Sequence, residues 1–76
     1  MITAYLLIIT RSGQEKKVIA KLEALKQVKE AAIVYGEYDL VAKIELEDVS
    51  QLNDFLLEKI RPINGVDRTS TLIVAA

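Results

Sequence analysis

Four consecutive residues, Gly36-Glu37-Tyr38-Asp39, combine a flexible backbone with polar side chains and lie between two apolar segments. Glycine tolerates the positive φ that a hairpin bend commonly needs. The carboxylate of Asp39 and the phenol of Tyr38 would then lie at the rim of a sheet, beside exposed backbone N–H groups. Such a corner can hold a small zwitterion, with Asp39 contacting its ammonium group and the N–H groups contacting its carboxylate. The alternative is a polar hairpin turn that binds nothing.

A run of hydroxyl side chains, Thr69-Ser70-Thr71, opens the last apolar segment. Hydroxyls at a sheet edge could bind the carboxylate or the polar side chain of a ligand. Threonine also favours strands, so ordinary β-propensity explains the run equally well.

Other catalytic or metal-binding patterns are scarce. The chain contains no His and no Cys, which excludes imidazole acid–base catalysis and metal sites built on imidazole or thiolate. No glycine-rich phosphate loop and no nucleophile elbow is present. The acidic residues Glu45, Glu47 and Asp48 are expected to end a strand and cap the next helix, with a hard-cation site as the alternative. We therefore expect no enzyme activity, no metal and no cofactor.

Size and composition indicate one domain, residues 1–76, that self-associates. A chain this short buries only about 60% of its unfolded surface, yet 51% of its residues are hydrophobic and no disulfide can stabilise it. With a net charge of −1 and no basic stripe, it is not expected to bind nucleic acid directly. Its apolar runs are too short to span a membrane and no signal peptide is evident, which favours a cytoplasmic protein.

Periodicity predicts the order βαββαβ, with both helices on one face of a four-stranded antiparallel sheet, the ferredoxin-like plait. Two capping boxes, Ser12 with Glu15 and Asp48 with Gln51, predict where the helices begin. The predicted strands are 2–10, 31–35, 40–46 and 69–75, and the predicted helices are 13–28 and 49–60.

The predicted strands are apolar on both of their faces, except for the third strand with Lys43 and Glu45. A plait covers only one sheet face with helices, so the other face should alternate to polar if it met water. We therefore expect two copies to pair sheet against sheet as a homodimer. The alternative is that these short strands are hydrophobic by chance.

The whole chain resembles the effector-binding and oligomerisation domain of the Lrp/AsnC (feast/famine) transcriptional regulators, often called the RAM domain. Val34-Tyr35-Gly36-Glu37-Tyr38-Asp39 is similar to the family's Gly-[Asp/Glu]-[Tyr/Phe]-Asp turn. Gly65-Val66, followed by Thr69-Ser70-Thr71 and Leu72-Ile73-Val74, is similar to the family's ending. The two motifs occur in register within a βαββαβ chain.

The resemblance implies an amino-acid effector and a dimer of facing sheets, with dimers assembled into rings of eight or ten chains. The effector would bind between dimers, near Tyr35 and the turn 36–39, with Thr69, Ser70 and Thr71 closing the site. Members of the family carry an N-terminal helix-turn-helix domain, which is not found in residues 1–76. The resemblance therefore implies a stand-alone module that buffers ligand or co-assembles with full-length regulators.

Two other classes remain open on the sequence. A small dimeric enzyme of the cofactor-free monooxygenase or isomerase type also pairs sheets, although such enzymes usually need a His or a polar cavity. A purely structural oligomerisation module would have the same apolar strands and no ligand.

Overall fold

Four strands and two helices alternate in the order βαββαβ, as the periodicity predicts. The computed structural model describes residues 1–75. The strands are β1 (Ile2–Thr10), β2 (Val28–Ile33), β3 (Leu40–Leu46) and β4 (Val66–Ile73); the helices are α1 (Glu15–Glu23) and α2 (Val49–Phe55), and a π-helical segment, Leu56–Ile60, follows α2 directly. The strands form one antiparallel sheet in the order β2-β3-β1-β4. The ferredoxin-like plait is therefore confirmed.

One face of the sheet carries the hydrophobic core. Along β1 and β3 every second side chain is buried, which is the period of a half-covered strand. The antiparallel register places Leu6 opposite Ala42 and Ile8 opposite Leu40, so the two central strands present one continuous apolar surface. The helical elements cover that surface with five buried side chains, namely Val18, Leu22, Leu52, Phe55 and Ile60.

The opposite face of the sheet, here called the open face, is not covered by either helix. At its centre are Tyr5 and Leu7 of β1, with Val41 of β3 and Leu72 of β4 paired beside them. Tyr5 is 37% exposed and Leu72 is 54% exposed. Charged residues on the same face lie around this apolar centre: Glu30, Lys43, Glu45 and Arg68.

Helix α1 is shorter than its predicted range 13–28. The predicted capping box is wrong, because Gln14 occupies the N-cap position and no side chain caps the helix. Gly13 adopts φ +79° and Arg11 donates its N–H to the carbonyl of Gly65, so this connection is held by backbone contacts instead. At its other end, the helix ends at Glu23, and the chain continues through turns at residues 24–27.

The second helical region keeps its predicted range and its predicted cap. The carboxylate of Asp48 accepts a hydrogen bond from the backbone N–H of Gln51 at 2.9 Å. The last turns are π-helical, with the N–H of Arg61 donating to the carbonyl of Leu56 at 2.9 Å. The wider turn allows Phe55 and Ile60, five residues apart, both to be buried.

Strands β1 and β3 begin and end where they were predicted, whereas β2 and β4 lie earlier in the sequence. Val28 pairs with Ile44 rather than ending a helix, and β2 stops at Ile33, before the predicted end at Tyr35. Strand β4 begins at Val66, opposite Thr10, three residues before its predicted start. Neither described helix has the length and apolar character needed to cross a membrane.

Candidate functional site

Asp39 fixes the β2–β3 connection to the end of the central strand β1. Its N–H donates to the carbonyl of Ile8 at 2.9 Å, and its own carbonyl accepts from the N–H of Val34 at 2.9 Å. Its carboxylate Oδ2 accepts a further bond from the N–H of Thr10 at 2.8 Å. Every polar group of Asp39 except the second carboxylate oxygen, Oδ1, therefore has a partner in these contacts.

Thr10 gives the same carboxylate a second hydrogen bond. Its hydroxyl Oγ1 lies 3.3 Å from Oδ2 of Asp39. Thr10 is only 8% exposed and is the one buried polar residue of the described chain. A carboxylate that accepts two protein hydrogen bonds at one oxygen is held in one orientation, and its other oxygen, Oδ1, accepts no hydrogen bond within residues 1–75.

The loop before Asp39 presents unused backbone donors. The N–H groups of Gly36, Glu37 and Tyr38 donate to no backbone carbonyl within residues 1–75. Gly36 adopts φ +140° with open space around the position of a Cβ atom, and both it and Glu37 are exposed. Tyr35 is fully exposed, whereas Tyr38 is half-buried. Successive N–H groups in such a loop can bind an anion such as a carboxylate by donating hydrogen bonds to it.

The hydroxyl run of β4 is divided between the two faces of the sheet. Thr69 pairs with Ile8 and Thr71 with Leu6, so both side chains lie on the helix-covered face. Ser70 pairs with Leu7 and lies on the open face. Within one chain the three hydroxyls therefore cannot converge on one ligand, although Thr69 and Thr71 can contact the same molecule from the β4 edge.

Asp39 and Thr69 lie at the same end of the sheet, on either side of β1. Ile8 pairs with Leu40, the neighbour of Asp39, and with Thr69 across the other edge. Two strand spacings separate these partners, which is a distance of about 10 Å. The turn 36–39 and the hydroxyl run 69–71 are thus brought to one end of the sheet. A ligand of amino-acid size could reach from one toward the other only across the end of β1.

The acidic residues near the β3–α2 connection do not belong to this site. Asp48 caps α2, and the N–H of Gln51 and the hydroxyl of Ser50, at 2.7 Å, lower the pKa of its carboxyl below the usual value. These residues lie at the opposite end of the sheet, because Leu46 pairs with Ile2 at the start of β1. An open cleft of about 480 Å³ at this end is lined by Glu45, Glu47 and Phe55, among others.

Thr10 is the site residue that the sequence reasoning missed. The inward-facing positions of β1 are Ala4, Leu6, Ile8 and Thr10, of which the last is the only polar one. A polar side chain on the buried register of a strand needs a partner, and this was the available indication. Its partner, Asp39, is distant in sequence and could be identified only from the strand pairing.

Comparison with known proteins places the chain in one family. The model described as "Lrp/AsnC ligand binding domain" matches residues 3–76. Over 73 residues the chain is 36% identical to HTH-type transcriptional regulator FL11 of Pyrococcus furiosus, covering 96% of this chain and 48% of FL11. The chain therefore spans about half the length of the curated regulators that it matches.

Solved structures agree on the fold. The crystal structure of FFRP-DM1 is 45% identical, with a TM-score of 0.95, covering 99% of this chain and all of that one. The regulator NMB0573 of Neisseria meningitidis, solved as an L-Met complex, has a TM-score of 0.90 at 17% identity. That alignment covers 99% of this chain and 50% of the other, and at this identity it bears on the fold alone. From the family match and the identity to FL11, the chain belongs to the Lrp/AsnC ligand-binding domain family.

Proposed function

We propose that this chain is an amino-acid-binding, oligomerising module of transcriptional regulation. The observation that carries the proposal is a fixed carboxylate, Asp39, next to three backbone N–H groups, at residues 36–38, that donate to no acceptor within residues 1–75. This arrangement offers an acceptor for an ammonium group and donors for a carboxylate within one short loop. A free amino acid carries both groups on a single carbon atom.

The charges of the loop suit a zwitterion without requiring a buried ion. Asp39 is half-buried, so its pairing with an ammonium is strengthened by partial desolvation while water still reaches the site. The backbone N–H groups around Gly36 carry no formal charge and can donate hydrogen bonds to the ligand carboxylate at little desolvation cost. Thr69, from the β4 edge of the same or a neighbouring copy, is available for the ligand's side chain.

The relatives support a regulatory role. The matching family is described by its ligand-binding domain, and FL11 is a transcriptional regulator. The effector that we propose, an amino acid or a close derivative, rests on the polar groups of residues 36–39 in this chain, which match the ammonium and the carboxylate of a zwitterion.

The open face supports a dimer of facing sheets. Tyr5, Leu7, Val41 and Leu72 form an apolar centre surrounded by charged side chains, which is the arrangement typical of protein interfaces. The turn at residues 36–39 lies at the end of the sheet rather than on the open face, so it would stay accessible in such a dimer. Further contact between dimers at this loop, in a ring of eight or ten chains, would place the ligand between them.

The experiment is a thermal-shift screen of the wild type against the twenty amino acids, followed by titration calorimetry. A ligand at one hundred times its Kd adds about 2.7 kcal/mol to the free energy of unfolding. For a domain of this size that raises Tm by about 10 °C or more. We expect a few amino acids to do this, and Asp39→Asn to weaken their binding at least tenfold because the charged partner is lost.

Asp54→Asn is the matched control, since Asp54 is an exposed carboxylate on α2 that is distant in sequence from the loop. It should leave the affinity unchanged. Light scattering with and without the bound amino acid should also show growth of the assembly, because a ligand held between dimers stabilises only the assembled state. A flat profile across all twenty amino acids would overturn the proposed function.

A further inference from the structure

We propose that Thr10 is a positioning residue for the amino-acid site, acting through the carboxylate of Asp39. This inference rests on the proposed function and adds a residue from the core strand to it. Thr10 itself would not contact the ligand. Its role is to hold Asp39, and with it the loop 34–39, in the conformation that binds.

The strand pairing explains why Thr10 needs Asp39. The β1–β3 register ends at the pair Ile8–Leu40, and the N–H of Asp39 bonds to the carbonyl of Ile8. Groups on alternate residues of a strand point to the same neighbour, so the next donor on that side of β1 is the N–H of Thr10. No β3 carbonyl pairs with it, and the carboxylate of Asp39 accepts its hydrogen bond instead.

The other side of β1 is irregular at the same point. The β1–β4 register shifts between Ile9, which pairs with Arg68, and Thr10, which pairs with Val66. This bulge leaves Asp67 as the extra residue. Bulges reorient side chains and often lie beside functional sites. Here the bulge accompanies a buried threonine whose hydroxyl is directed to Asp39.

The two bonds from Thr10 restrict the Asp39 side chain before any ligand arrives. Both use Oδ2, at 2.8 Å from the N–H and 3.3 Å from the hydroxyl. The conformational cost of ordering the carboxylate is thus met in the free protein, which favours affinity. The hydroxyl contact is the part of this support that a side-chain substitution can remove.

The test compares Thr10→Val with Thr10→Ser. Valine keeps the shape and the backbone donor but removes the hydroxyl, whereas serine keeps the hydroxyl. Two quantities are measured for each variant: hydrogen exchange at the amides of Val34, Asp39 and Thr10, and affinity for the amino acid found in the screen. Both variants bury a small side chain, so Tm reports whether the core is intact.

We expect Thr10→Val to speed hydrogen exchange at those three amides and to leave exchange at core amides, such as that of Leu6, unchanged. The affinity for the amino acid should fall about tenfold. Thr10→Ser should resemble the wild type in both measurements. If Thr10→Val does not fold, Thr10→Ala is measured in the same way. When Thr10→Val, or Thr10→Ala in its place, is combined with Asp39→Asn, the losses of affinity should not be additive, because the two residues act through one contact.

Two results distinguish a failure of the positioning role from a failure of the proposed function. Unchanged exchange at residues 34 and 39 in Thr10→Val, or unchanged affinity, overturns the positioning role whatever the ligand. A wild type that binds no amino acid overturns the proposed function and, with it, the role of Thr10 in binding. Faster exchange in that case would assign Thr10 to loop stability alone.

Discussion

At Asp39 a side chain replaces the backbone acceptor that a continuing strand would supply. The carboxylate receives the N–H of Thr10 at 2.8 Å, while the backbone of Asp39 bonds to Ile8 and Val34. A residue used so fully for structure can still bind a ligand, because a carboxylate has more acceptor positions than these contacts occupy. The same bonds that close the sheet therefore leave Oδ1 as the acceptor that the proposed site would offer to an ammonium group.

Gly65 is the second residue whose local geometry has consequences beyond its own turn. It is buried with φ +106°, and a Cβ atom there would lie 2.9 Å from Cβ of Gln14 and 3.0 Å from Cγ2 of Val18. Its carbonyl also accepts the N–H of Arg11 at 2.7 Å. The close approach joins the start of β4 to the first turn of α1.

We expect Gly65→Ala to lower the free energy of unfolding by about 2–4 kcal/mol, from overpacking plus an unfavourable φ. Gly36→Ala is the matched control, since its φ of +140° is also positive but no atom lies within 4 Å of the Cβ position. Strain alone should cost it about 1–2 kcal/mol. Urea unfolding of both variants measures the difference, and equal losses would show that the contact with α1 contributes nothing.

At the scale of elements, α2 has the one side-chain cap in this chain that the sequence predicted correctly. The Asp48 carboxylate accepts from the N–H of Gln51 and from the hydroxyl of Ser50, and both contacts lower the pKa of Asp48. Because the pKa of Asp48 is lower in the folded state than in the unfolded state, the ionised carboxylate stabilises the fold at pH values above the unfolded pKa. That stabilisation is lost as pH falls through the folded pKa.

Asp48→Ala should therefore lower Tm at neutral pH. The difference in Tm between wild type and variant should narrow as the pH falls below the unfolded-state pKa of aspartate, about 4. The measurement is thermal unfolding of both proteins across that range. Asp54→Ala, in the middle of the helical region 49–60, should be close to neutral because its exposed carboxylate lies in neither the first nor the last turn. A deficit that is constant with pH would contradict the cap as the cause.

The elements that the sequence predicted correctly are those whose pattern is complete within a few residues. Strands β1 and β3 alternate between buried and outward residues over their whole length, and Asp48 with Gln51 forms a local cap. The end of α1 was mispredicted because Leu25 and Val28 continue the helical spacing, whereas Val28 pairs with Ile44 in the sheet. Tertiary pairing overrides local periodicity there.

The candidate site likewise has features that the sequence predicts and features that depend on tertiary structure. The turn 36–39 and its position between strands followed from sequence, because glycine and the flanking apolar runs are local features. The contact of Thr10 with Asp39, 29 residues apart, depends on strand order and on a bulge. The division of Thr69, Ser70 and Thr71 between two faces follows from the alternation of side chains along any strand, so it was predictable once 69–75 was assigned as a strand. Which face receives Ser70 depends on the pairing of β4 with β1, which the composition of an edge strand does not fix.

At the scale of the whole molecule, the fold leaves an apolar patch on the open face that neither described helix covers. The plait places both helices on one face, so Tyr5, Leu7, Val41 and Leu72 are covered by neither helix. A small domain has little core to spare, and pairing two open faces would bury this surface and add to its stability. Assembly and folding are therefore expected to be coupled in this chain.

Adjacent residues of β1 test that coupling, because they point to opposite faces. Ile8 is fully buried, so Ile8→Glu places an unpaired charge in the core and should unfold the protein. Leu7 lies on the open face between Val41 and Ser70, so Leu7→Glu should keep the fold and disrupt the dimer. Circular dichroism measures the fold, and light scattering compares the mass with the 8.5 kDa of one chain. The wild type should scatter as a multiple of that mass, and Leu7→Glu as a folded monomer with a lower Tm. If Leu7→Glu keeps the wild-type mass, the open face is not the dimer interface.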